Sequence, residues 1–116
     1  MHERRMKVAK DVASRLFAAE TALDIAAARL AELTAAMPIA RIDAHFAAAI
    51  GQEAFASSAD ALALLAKVRE RVVATHASLK QASDEAGLEA ISYGDSLKAP
   101  KAHGFAAEPA RLRAAS

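Results

Sequence analysis

"FAAETALDIAAARLAELTAAM", residues 17–37, decides the fold. From Glu3 to Ala36 the chain has no proline or glycine, and alanine, leucine, arginine and glutamate, all strong helix formers, dominate. Leu16, Leu23, Leu30 and Met37 recur every seven residues, and Val12, Ala19, Ala26 and Leu33 recur every seven between them. Alternating steps of three and four place both series on one stripe of an α-helix. Pro38 is expected to end that helix, because a proline pushes the residue before it out of the α region.

A second stripe runs from about Ser58 to Ala86. Leu65, Val72, Leu79 and Ala86 form one series, and Ala61, Val68, Thr75 and Ala82 the other. Ser57 or Ser58 is the expected N-cap, Asp60 suits the positive end of the helix dipole, and Gly87 is the expected C-terminal stop. Between the stripes, Ile42, Phe46 and Ile50 fall at i, i+4 and i+8. This spacing predicts a short third helix over 43–56, capped by Asp43 and weakened by Gly51. One long helix over 39–86 is the rival reading.

The stripes predict each other's partner. In an antiparallel hairpin Leu30 falls opposite Leu65, Leu23 opposite Val72, Leu16 opposite Leu79 and Ala9 opposite Ala86. The second series pairs Leu33 with Ala61, Ala26 with Val68, Ala19 with Thr75 and Val12 with Ala82, mostly a larger residue against a smaller one. Arg4, Arg5, Lys7 and Lys10 fall near Asp84, Glu85 and Glu89 in this register. The expected fold is therefore all-α: an antiparallel, coiled-coil-like hairpin with an alanine and leucine seam over 1–87, a short helix at its tip, and a flexible tail over 88–116.

Totals narrow the function. The 116 residues suffice for one domain. Hydrophobic residues reach 54%, too many for a disordered chain, but aromatics reach only 4% and alanine buries little area. The core must be thin, or shared with a partner. Phe17, Ile25 and Leu64 lie off the seam and need cover, so a dimer forming a four-helix bundle is the expected assembly, with another helical protein as the other possible partner. The net charge of +1 gives no global attraction to nucleic acid or acidic membranes. The chain has no cysteine, which removes thiol chemistry and is compatible with a cytoplasmic location. The charged start "MHERRMKVAKDV" does not read as a secretory signal, and no apolar run is long enough to span a membrane.

Candidate chemistry is sparse. Asp43, His45, Gln52 and Glu53 could offer metal ligands, but the Glu-x-x-His pattern of di-metal bundles is absent, and His45 reads as a solvated tip residue. His76 reads as packing at the seam edge rather than as a phosphoacceptor. Glu20 and Asp24 read as a solvated polar face. No metal, cofactor or catalytic residue is expected. Ile42, Phe46, Ile50 and Phe55 are the candidate partner-binding residues, either capping the hairpin end or anchoring a partner. Tyr93 and Phe105 could make further short contacts. The leading expectation is a non-enzymatic interaction or scaffold protein. The alternative is a small regulatory nucleic-acid binder using Arg4, Arg5, Lys7 and Lys10.

Overall fold

The computed structural model describes residues 1–88. Two helices make up most of them: α1, His2–Asp43, of 42 residues, and α2, Gln52–Glu85, of 34 residues. There is no strand among the described residues, so the all-α expectation holds. The tail expected beyond residue 88 lies outside the described residues, and with it Glu89, Tyr93 and Phe105.

The chain divides into two compact units, one holding residues 1–21 and 73–88 and the other residues 22–72. Each pairs a piece of α1 with a piece of α2. In the first unit Glu20 meets His76 while Met1 and Arg5 lie near Leu88, so the two pieces run in opposite directions. In the second, Thr34 meets Ser58 and Asp24 meets Arg69, again antiparallel.

The first unit has a small core. Ala13 and Leu16 of α1 and Leu88 after α2 are buried in it, as are the polar side chains of His76 and Ser83. Leu88 is held there by the end of α2. Its N–H donates to the Ser83 carbonyl at 2.8 Å, Gly87 N–H donates to Asp84, and Ser83 Oγ donates to the Leu88 carbonyl. Gly87 has φ +75, the left-handed conformation this C-terminal motif needs. The glycine stop is therefore where the sequence places it.

In the second unit Leu23, Ala27, Leu30, Thr34 and Met37 of α1 face inward, with Phe55, Ser58, Leu62, Leu65 and Val72 of α2. Only Ser58 becomes fully buried there.

Several expectations need correction. α1 does not stop at Pro38 but runs through it to Asp43. Proline lacks the N–H that would bond the Thr34 carbonyl, at a cost of roughly 3 kcal/mol in a helix interior. The last turn offsets this: Ala44 N–H donates to Ala40, Phe46 N–H donates to Arg41, and the Arg41 guanidinium reaches the Ala48 carbonyl at 3.3 Å. The third helix over 43–56 does not form. Asp43 ends α1, residues 44–51 make turns, and α2 begins at Gln52, so the rival long helix over 39–86 is not formed either. The physical reason is two left-handed residues, His45 at φ 56 and Gly51 at φ 77, which interrupt the helical path. Ser57 and Ser58 cap nothing, because α2 starts well before them.

The seam itself is displaced by one residue on each helix. The series through Leu16, Leu23, Leu30 and Met37 lies inward, as does that through Leu65, Val72 and Leu79. The companion series does not. Ala13, Glu20 and Thr34 are less exposed than the expected Val12, Ala19 and Leu33, and on α2 His76 and Ser83 are less exposed than Thr75 and Ala82, while Ala26 and Ala61 are half-buried together with their neighbours Ala27 and Leu62. Steps of three and of four are both helical, so a mostly alanine sequence permits either. Cross-helix pairing of polar side chains decides between them.

Candidate interaction surfaces and the polar seam

In the second unit the turn between the helices carries the residues singled out for partner binding. Ile42 sits in the last turn of α1 and is 70% exposed, while Phe46 and Ile50 sit in the connection at 59% and 56%. Phe55, in the first turn of α2, is half-buried on the inward face. Ile39, also exposed, precedes Ile42 by three residues on α1. These side chains do not close over one another as a miniature core. The left-handed turn at His45 reverses the chain immediately before Phe46, in a motif where Phe46 N–H donates to the Arg41 carbonyl.

Further exposed apolar side chains follow along the helices of this unit. Leu33 is 50% exposed and Val68 46%, and Ile25 and Leu64 are exposed as well. Asp24 and Arg69 form an ion pair at 2.6 Å. Asp24 was expected on a solvated face; it reaches the other helix instead.

The first unit holds the most chemically articulate cluster. His76 is only 8% exposed, and its Nδ1 lies 3.0 Å from Glu20 Oε2. Phe17 packs edge-on against the imidazole, with ring centroids 6.2 Å apart. Glu20 thus crosses the seam rather than facing solvent. Burial of His76 closes it to a phosphoryl donor, which argues for a structural role. Sequence reasoning missed this pair because Glu20 and His76 are 56 residues apart and each looks like an ordinary helix-surface residue.

Arg4, Arg5, Lys7 and Lys10 are exposed on the first turns of α1. None of them is ion-paired with Asp84 or Glu85 among the described residues; Glu85 instead accepts from Gln81 at 3.1 Å. Arg4 and Arg5 also border an open groove with Val8 and Leu88. His45 is exposed, and no group of three or more metal-ligating side chains occurs among the described residues. No described helix is long and apolar enough to cross a membrane.

No protein-family model, curated protein or solved structure matches this chain. The functional reading therefore rests on the surfaces just described.

Proposed function

We propose that the chain is a non-enzymatic helical interaction or scaffold protein, acting through helix-face packing as a homo-oligomer or as a subunit of another helical protein. Its contact residues at the turn are Ile42, Phe46 and Ile50, together with the half-buried Phe55 in the first turn of α2. The observation that carries this reading is the exposure of Ile42, Phe46 and Ile50 at the turn between the two helices. Exposed aliphatic and aromatic groups clustered in this way serve as anchors for a partner. A cytoplasmic location accompanies the reading.

The test is Phe46→Ala in the full chain, compared with wild type by capture of helical partners and by thermal unfolding. The expected outcome is weakened association, by about tenfold or more, with unchanged helix content and melting. A loss of stability with association intact would make Phe46 a core residue and sink its role as an anchor.

One observation favours a second reading, a nucleic-acid binder. The basic cluster Arg4, Arg5, Lys7 and Lys10 has no ion pair to Asp84 or Glu85. If these four side chains contact phosphates of duplex DNA, the logarithm of the binding constant should fall with the logarithm of salt at a slope of about −3.6. A gel shift without salt dependence, or no shift at low salt, would set this reading aside.

A further inference from the structure

The two flanks of the second unit differ in kind. Thr34 and Ser58, hydrogen-bonded to each other, mark the seam between the helices. Asp24, one residue after the inward-facing Leu23, lies on one flank and forms its ion pair with Arg69. The opposite flank is made by residues one position before the seam: Ala26 and Leu33 on α1, Ala61 and Val68 on α2. Each residue advances a right-handed helix by about 100°, so in an antiparallel pair these positions fall on the same side of both helices. Leu64 adjoins them, four residues before Val68. None of the five is charged; Arg29 and Arg71, one position before the inward-facing Leu30 and Val72, border them on the outer side of each helix.

Three physical arguments select the occupant. No apolar side chain of the second unit is fully buried, while Leu33, Leu64 and Val68 remain exposed on this flank. A helix pair whose inward leucines are only half-buried gains less to offset the entropy of ordering it, so cover from outside adds to its stability. The face is also the right size. The α1 stretch over 22–43 is about 33 Å long at about 1.5 Å per residue, and two helices each about 10 Å wide present on the order of 660 Å². That approaches the roughly 800 Å² per partner of a stable interface. Finally, each helix alternates small with large, Ala26 with Leu33 and Ala61 with Val68, so the same surface supplies both projections and recesses. A two-fold axis joins such a surface to itself.

We infer that this flank is the contact for a second copy of the chain, with Leu33 and Val68 of each copy seated over the alanines of the other. The inference rests on the interaction-protein reading and names the partner and the face. It also separates the face from the turn, which stays available for another contact.

Mass in solution tests it, using the full chain over a dilution series. Wild type is expected at twice the 12.1 kDa monomer mass, and Leu33→Glu is expected to weaken dimerisation by at least about 100-fold while Phe46→Ala leaves the dimer intact. A wild-type monomer at every concentration overturns the inference, yet leaves the broader reading to be judged by capture of a different helical protein. A dimer kept by Leu33→Glu but lost by Phe46→Ala also overturns it, and moves the contact to the turn. Should Leu33→Glu fail to fold, the cysteine-free sequence permits nitroxide labels at Val68→Cys and, one residue away on the outer face, at Lys67→Cys. Stronger label–label coupling at position 68 is expected; equal or weaker coupling there overturns the face.

Discussion

At the scale of single residues, the pairing of Glu20 with His76 is the most consequential contact. Exposed pairs such as Arg15 with Asp11, at 79% and 61% side-chain exposure, contribute about 0–1 kcal/mol. The Glu20–His76 pair is mostly removed from water, at 26% and 10%, and it has Phe17 packed against it. Removing either partner leaves a polar group facing a poorly hydrated seam. Glu20→Ala and His76→Ala should each cost about 1–3 kcal/mol in urea unfolding, and the double mutant should cost clearly less than their sum. Additive losses would mean that the two side chains do not act as a pair. Arg15→Ala serves as the control and should change stability by less than about 0.5 kcal/mol.

At the scale of the elements, both helix boundaries at the turn depend on left-handed residues. His45 takes the position usually given to glycine after a helix, and a residue with a Cβ costs about 1–2 kcal/mol in that conformation. His45→Gly should therefore raise the melting midpoint, by a gain of up to about 1 kcal/mol. Gly51→Ala should lower it by about 1 kcal/mol, although nothing lies within 4 Å of the added methyl, because the cost is conformational and not steric. Equal and small effects at both sites would contradict the turn geometry. Pro38→Ala adds the missing N–H within α1 and should stabilise the helix too, which thermal unfolding followed by circular dichroism would show.

At the scale of the whole molecule, full burial among the described residues is concentrated in the first unit, while large exposed apolar side chains occur in both. Leu16, buried in the first unit, should cost about 2–4 kcal/mol when changed to alanine. Leu33 is half-exposed within one chain, so Leu33→Ala should cost much less in dilute solution. If a second chain covers Leu33, that difference shrinks as protein concentration rises, and the wild-type melting temperature rises with it. A melting temperature independent of concentration over two or three decades would place all stabilising burial within one chain. It would also make the exposed leucines and valines contacts for a different protein.

The sequence alone determined the helices and their direction of pairing. Leucine at seven-residue spacing, long stretches of alanine without glycine or proline, and Gly87 at the end of α2 all act through local backbone preference, which a reader of one chain can weigh. It also fixed half of the seam, since Leu16, Leu23 and Leu30 have no rival inward position. The tertiary structure decided the other half. Apolarity favoured Ala19 over the charged Glu20 and small size favoured Thr75 over His76, and both preferences gave way where the two polar side chains meet across the helices. Contacts across 24 and 56 residues, Thr34 with Ser58 and Glu20 with His76, made the choice. The same is true of Pro38 and the turn after it. Local rules favoured a stop there and a new helix at 43, but hydrogen bonds from Phe46 and Arg41 closed α1 later and left Ile42, Phe46 and Ile50 in the open. Local propensity is a matter of tenths to a few kcal/mol per residue, and partners brought together from distant parts of a chain can outweigh it.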